Sequence, residues 1–307
     1  MDITNNLVLL EESRYDAKGT FQDSLRQIVR NQGASFTGQS TAYGPAYYVD
    51  ITWSSQGKNI AVNSPMPIIH GLNGRKWAGG GSNLFTYGQG TVAQQAILKL
   101  AANGEYYLQF DGVDDNYSGV TNSAGFTQDN LTLPAGLTSS VGGGGDFSGS
   151  AWLGNNTVIM VLELRTAVAG HLFGRTNNAI GAGRMDVVLS GGARFHAIQV
   201  FSSGTRQVTG GTNITLNTRT IGCIRLTSSA TAGVKQEVFY NGTLDGTLAI
   251  SDAITSSASR LDLGGTNTVG TATLNLYHLI YYPFPVDDPT LKTIHRYLGN
   301  RYGVTVP

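Results

Sequence analysis

Three aspartates crowd one short stretch of this sequence, Asp111, Asp114 and Asp115, in the run Phe110-Asp111-Gly112-Val113-Asp114-Asp115. Carboxylates at that density suit a hard cation, and calcium draws its ligands from oxygen atoms. The competing chemistry is local, because aspartates in tight turns accept hydrogen bonds from their own backbone amides. Calcium at this turn is the one cofactor for which the sequence offers a place.

Cleavage of a glycosidic bond needs two carboxylates facing each other across the sugar. The chain has five glutamates, Glu11, Glu12, Glu105, Glu163 and Glu237, and none lies two or four residues from another. The adjacent Glu11 and Glu12 would point to opposite faces of an extended strand. No catalytic pair of glutamates is therefore expected, and the chain does not read as an enzyme, although two aspartates brought from separate strands stay open as an alternative. His70, His171, His196, His278 and His295 lie far apart, with no pair at metal-ligand spacing on one element. Cys223 is the single cysteine, so an internal disulfide is excluded, and its apolar run Ile221 to Leu226 reads as an inert core position.

Gly88-Gln89-Gly90-Thr91-Val92-Ala93, followed by the helix-compatible stretch Gln94 to Ala102, is a degenerate dinucleotide fingerprint. No second unit of that kind follows, and the later chain lacks a parallel-sheet pattern. Aromatic side chains offer another chemistry, because a flat ring stacks on the apolar side of a pyranose. Trp53, Trp77 and Trp152 fall in or beside loop-rich portions and are the candidate glycan-binding residues. The pairs Tyr47-Tyr48, Tyr106-Tyr107 and Tyr281-Tyr282 serve a sugar face, a core or a subunit interface equally well.

The elements that would hold these residues are strands. From Val158 onward, short β-branched and aromatic runs are each bounded by Gly, Asn, Ser or Thr: Val158 to Leu164, Met185 to Leu189, Phe195 to Phe201, Thr220 to Leu226, Gln236 to Tyr240 and Thr273 to Tyr281. In the last, Leu274, Leu276, His278 and Ile280 should face one side and Asn275, Tyr277, Leu279 and Tyr281 the other. Both sets are largely apolar, which makes the strand central. Asn241-Gly242 after Tyr240 signals a hairpin, with the return strand near Gly246 to Ile250. Asp287 or Asp288 can cap a helix that starts at Pro289, carries Leu291, Ile294, Leu298 and Tyr302 on one face, and stops at Gly303.

The first third is less regular. Phe21, Leu25, Ile28 and Val29 are spaced like a short helical face, residues 38–104 read as a loop-rich insertion with a strand or two around Tyr47 to Trp53, and Val141 to Gly149 reads as a glycine loop. Twenty basic residues balance twenty acidic ones, which argues against nucleic acid as a partner. Charged residues make up 13% of the chain and glycine 41 of its 307 positions, a bias that many short strands and tight turns produce. No apolar run has the length of a membrane span, and Leu7 to Leu10 is too short for a signal core, so neither membrane insertion nor a cleavable leader is expected.

Several of these segments resemble the concanavalin A-like, laminin G-like jelly-roll family of bacterial and phage proteins. Tyr106 to Asp115 looks like an early strand running into a Phe-Asp-Gly-x-Asp-Asp turn. Val238 to Gly246 is similar to the family's hairpin, Leu261 to Gly265 to the strand after it, and Tyr297-Leu298-Gly299-Asn300-Arg301-Tyr302-Gly303 to its closing helical signature. The resemblance implies an all-β jelly-roll sandwich with a short C-terminal helix and an irregular N-terminal portion. It covers residues 105–307 and matches the N-terminal third poorly; the chain is expected to form a single domain over residues 1–307, with its core at 105–307 and an opening strand near 6–15. Together with the composition it implies a non-enzymatic virion protein of a bacteriophage, a head decoration or a tail or baseplate appendage, with an adhesive role. Other virion proteins, host-surface glycans and further copies of the chain would be its partners. The alternative is a free-standing carbohydrate-binding, lectin-like module.

Overall fold

The computed structural model describes residues 47–51, 61–72, 84–119, 156–176, 185–190, 193–201, 204–229, 233–250, 260–264, 272–282 and 285–307. The opening strand near 6–15, the helical face around Phe21, the glycine loop at 141–149 and all three tryptophans lie outside them.

The first strands are β1 (Tyr47–Asp50), β2 (Ile68–Leu72), β3 (Leu84–Gly88), β4 (Ile97–Leu100), β5 (Tyr106–Asp111) and β6 (Asn116–Gly119). They are followed by β7 (Asn156–Leu164), β8 (Gly170–Thr176), β9 (Met185–Ser190), β10 (Arg194–Phe201) and β11 (Gly204–Thr209). The chain continues through β12 (Arg219–Ser229), β13 (Gly233–Tyr240), β14 (Thr243–Ile250), β15 (Arg260–Gly264) and β16 (Thr273–Tyr282), and ends in helix α1 (Asp288–Tyr302). The pairings are antiparallel, and the ladder runs β11-β10-β9-β8-β15-β6-β3-β2-β1-β16-β7-β12-β13-β14, with β5 joining β16 and β4 joining β5.

The ladder folds over on itself, so that β10 packs on β13 and β11 on β14. Gly222 of β12 shows how closely the layers approach. A Cβ at that position would lie 2.2 Å from the Phe195 ring of β10, so any larger residue displaces the ring. Leu108, Phe110, Met160, Leu162, Phe173, Phe195, Leu274 and Leu276 fill the space between the layers. Ile51, Met66, Ile69, Ala96 and Leu98, from the described part of 38–104, are buried in the same cluster. These apolar residues of the N-terminal third thus have a place within the chain's own core.

A second core lies on the outer face of β7, β12 and β16, where Ile159, Val161, Ile221, Cys223 and Ile280 meet Leu291, Ile294, Tyr297, Leu298 and Tyr302 of α1. Alternation along each strand sends one set of side chains inward and the other under the helix. Each Leu or Ile so buried stabilises by about 1.5–3 kcal/mol. The helix is capped as its sequence requires: Asp287 accepts a hydrogen bond from the Thr290 N–H, and Gly303 closes the last turn at φ 71. Pro289 sits at the second helical position, one later than its spacing suggested, and is tolerated there because the first-turn amides have no intrahelical partner. Asn241 and Gly242 form the hairpin turn at φ 47 and 83, and the return strand starts at once, at Thr243.

Two expectations are corrected. Gln94 to Ala102 is not helical: Val92–Gln94 make a single 3-10 turn and Ile97–Leu100 form strand β4. Local propensity is overridden by pairing with β5 across the tight turn at Ala101 to Gly104, which removes the helix the dinucleotide fingerprint would need. In β16 the strict alternation fails at a bulge, where the register against β7 passes from Leu276 directly to His278. Tyr277 and His278 consequently both lie on the helix-bearing face, Leu279 turns inward to the main core, and Ile280 goes under the helix.

Candidate functional site

The bulge in β16 shapes the helix-bearing face next to it. Cross-strand pairing sets Gln109 of β5 opposite Asn275 of β16, Asn275 opposite Glu163 of β7, and Glu163 opposite Arg219 of β12. Directly paired residues share a face, so these four make a polar row across four strands. It lies beside the C-terminal end of α1. Helix residues cover the row's apolar continuation, Val161 and Ile221, but Glu163 keeps 15% of its side chain exposed, and Gln109, Tyr107 and Arg219 are half-buried.

The hydrogen bonds within the row converge on Glu163. Asn275 Nδ2 donates to Oε1 and Tyr277 Oη to Oε2, each at 3.3 Å, and the Arg165 guanidinium reaches Oε1 at 3.3 Å from the rim. Burial pushes the Tyr277 phenol above its ordinary pKa; Arg219 pulls it back and the Glu163 carboxylate adds to the rise. Tyr277 therefore stays protonated and remains a donor. The Arg219 guanidinium lies 4.7 Å from the centre of the Tyr277 ring and donates to the Tyr302 carbonyl and to Asn103 Oδ1, both at 3.3 Å. Tyr107 packs against Tyr277 with ring centres 5.2 Å apart. The result is an aromatic wall above a floor of amide and carboxylate, which is the pairing of surfaces that sugar recognition uses.

The aspartate turn begins two residue pairs further along β5 and β16, at Asp111. Asp111 ends β5 opposite Thr273, and Thr273 Oγ1 donates to the Asp111 carbonyl. Each of Asp111, Asp114 and Asp115 has a ligand oxygen within 4.8 Å of the others. Two of the carboxylates are already engaged as the turn chemistry predicts: Asp115 Oδ2 accepts from the Asp111 N–H and Asp111 Oδ1 from the Val113 N–H, both at 2.7 Å. Asp115 is 3% exposed, and burial, with Asp111 and Asp114 beside it, raises its pKa to about 6 against the lowering effect of the Asp111 amide. A calcium ion on the remaining oxygens would offset that concentration of charge.

The other titratable residues singled out from the sequence serve the framework. Glu105 is paired with Arg301, and Glu237 with Arg225 and Lys235. Cys223 is 1% exposed and burial pushes its thiol well up, consistent with an inert core position. His171 is fully buried with Nδ1 against the Gly264 carbonyl, His278 Nδ1 lies 2.9 Å from Tyr302 Oη, and His196 lies 3.2 Å from Thr209 Oγ1. The described side chains of the polar row were not gathered by sequence reasoning, because Gln109, Asn275, Glu163 and Arg219 come from four separate strands. The one available signal was the pairing of Asn275 and Tyr277 on a single predicted face.

Two solved structures share this architecture closely enough to establish it. One is the binding domain of botulinum neurotoxin serotype G, with a TM-score of 0.51, 10% identity, and coverage of 83% of this chain and 51% of that one. The other is the receptor binding domain of the botulinum neurotoxin C/D mosaic serotype, with a TM-score of 0.50, 9% identity, and coverage of 82% and 51%. The chain is a jelly-roll β-sandwich. It spans about half the length of those domains, and at such identities the likeness concerns the fold alone. The Ruminococcus gnavus IT-sialidase CBM40 bound to α2,3-sialyllactose is a more distant jelly-roll neighbour, with a TM-score of 0.39, 13% identity, and coverage of 45% of this chain and 81% of that one. No protein-family model and no curated protein sequence matches the chain.

Proposed function

We propose that the chain is a non-catalytic binding module that takes a carbohydrate on the row beside the end of α1. The observation that carries this reading is the convergence of the half-buried Tyr107 ring with Gln109, Asn275, Glu163 and Arg219 on one face of the jelly roll. Glu163 stands in the row with Asn275 and Arg219 as its cross-strand neighbours, where hydrolysis would call for a second carboxylate across the sugar. Trp53, Trp77 and Trp152 remain proposed additional contacts, and calcium at Asp111, Asp114 and Asp115 a proposed neighbour of the row. Two proteins of this fold are binding domains by name, which agrees with the reading. The experiment is an array of neutral and acidic oligosaccharides probed with the intact chain. Retention of a defined set of sugars supports the proposal, and no retention at millimolar sensitivity overturns it.

A second reading places the module in a bacteriophage particle, as a head decoration or a tail or baseplate appendage assembled from several copies with other virion proteins. The neutral charge balance and the 41 glycines favour it, since both suit a packed surface-building β domain. Residence in the virion is part of this proposal, and a carbohydrate face would then serve adhesion to a host surface. Mass spectrometry of intact particles checks it: fixed stoichiometry with the major structural proteins supports the placement, and absence from particles overturns it.

A further inference from the structure

We infer that α1 is an acid-released lid: when His295 takes up a proton, the helix leaves the outer face of β7, β12 and β16 while the sandwich stays folded. Release uncovers the apolar strip of Ile159, Val161, Ile221, Cys223 and Ile280. The inference is independent of the carbohydrate reading.

The division into two cores makes this separation available. Met160, Leu162, Ile224, Leu274, Leu276 and Leu279 point from the same three strands into the main core. The strands therefore keep that core, and the ladders that join them, without the helix. The docked helix also encloses polar atoms that it does not satisfy. Thr290 and His295 are 0% and 1% exposed, and Thr290 Oγ1 and His295 Nε2 have no hydrogen-bond partner. Unpaired buried atoms offset part of what the apolar contacts contribute, so the helix is the layer most easily lifted.

Charge gives the lifting its sign. His295 packs on the Phe239 ring, with ring centres 6.2 Å apart, and beside Gly242 of the β13–β14 turn, where an added Cβ would lie 3.4 Å from its own. The charged and titratable groups of the surrounding elements are Cys223 and Arg225 of β12, Lys235 and Glu237 of β13, His278 of β16, and Asp288 and Tyr302 of α1. Both Glu237 oxygens are engaged, by Arg225 and Lys235, and Asp288 Oδ1 is held by Arg225 at 2.7 Å. Burial pushes the His295 pKa down to about 3, and Arg225 adds to the effect. On a released helix the imidazole returns to about 6.5. Each pH unit below that value favours release by about tenfold, until the docked value is reached. The helix ends add to this, since protonation of Asp288 or Glu105 removes the attraction to Arg225 or Arg301. Asp115, in the sandwich, works the other way: burial raises its pKa to about 6, with Asp111 and Asp114 adding to the rise against the Asp111 amide, so acid relieves the turn that carries it.

Cys223 reports the opening, because it is the single cysteine of the chain, is 1% exposed and lies under α1. The test follows its reaction with 4,4′-dithiodipyridine at pH 7 and pH 4 in the intact chain and in His295→Gln. Each rate is taken relative to free cysteine at the same pH, and amide protection of Leu108, Phe173 and Phe195 in the main core is measured alongside. The expected result is labelling about 300-fold faster at pH 4 in the wild type, a much smaller increase in His295→Gln, and main-core amides that stay protected. Labelling no faster at pH 4, or faster only as the main core loses protection, overturns the release. An equal acceleration in His295→Gln overturns the part assigned to His295. Should that variant not fold, the wild-type amides of Leu291, Ile294 and Leu298 decide: loss of their protection at pH 4 ahead of the main core supports the lid, and simultaneous loss overturns it.

Discussion

Arg301, in the last turn of α1, reaches Glu105 at the head of β5 with Nε 3.4 Å from Oε1 and Nη2 3.2 Å from Oε2. Both side chains are nearly enclosed, at 6% and 7% exposure. The fork joins the helix end to the turn that carries Asn103, which in turn receives Arg219 of the polar row. The ion pair therefore ties the helix end to the β4–β5 turn beside the candidate site. Replacing the Glu105 carboxylate takes the opposite charge away from the buried Arg301, and Glu105→Gln should lower unfolding free energy by about 3 kcal/mol. Arg301→Lys should recover little, since an ammonium cannot reproduce the two-pronged geometry. Chemical denaturation of the variants measures both.

Acid should act on the helix through His295. Burial pushes its pKa down to about 3, with Arg225 adding to the effect, and it is 1% exposed beside the Phe239 ring. The unfolded chain takes up a proton near the ordinary value of about 6.5, while the folded chain resists until about 3. Stability from this position is thus full above the unfolded value and declines as pH falls through the window between them. His295→Gln removes the titration. The difference in melting temperature between this variant and the wild type should move in favour of the variant from pH 7 to pH 4, and a constant difference would show that His295 does not titrate in that window.

Asp115 works in the opposite sense. Its folded pKa, raised to about 6, lies above the unfolded value, so its burial penalty is absent in acid and present in full above pH 6. Asp115→Asn keeps an oxygen for the Asp111 N–H and discards the charge. In metal-stripped protein the variant should melt above the wild type at pH 7, with the advantage gone by pH 4. Calcium added at pH 7 should raise the melting temperature of the wild type and leave the variant where it was. A wild-type melting temperature unmoved by calcium would count against a metal at Asp111, Asp114 and Asp115.

How legible the fold was depended on how local its causes were. The Asn241-Gly242 turn, the Asp287 cap, the Gly303 stop and the six strand runs expected between Val158 and Tyr281 are dictated by neighbours in sequence and stand where their residues put them, whereas β8 and β11 were not read and the return strand starts earlier than expected. Strand β4 was unreadable because Ile97 to Leu100 carries no local β signal and is held extended by β5. The bulge at Tyr277 was equally hidden, since a single extra residue against β7 leaves no mark in the alternation of Leu274 to Ile280. The row depends on the registers of three strand pairs, which only the assembled sheet supplies. The amide bonds of the aspartate turn were legible because its carboxylates reach only two and four residues along the chain.

The carbohydrate row is tested most directly by calorimetric titration of the oligosaccharide that the array retains most strongly into wild-type protein and Tyr107→Ala. Tyr107 is half-buried and its ring meets Tyr277 at 5.2 Å, so truncating it removes the stacking wall while the hydrogen bonds of Asn275 and Tyr277 to Glu163 can persist. The account predicts a loss of at least about tenfold in affinity, in line with the cost of losing an aromatic platform, with the fold retained. Equal affinity in the two proteins would contradict it and move the binding face elsewhere on the jelly roll.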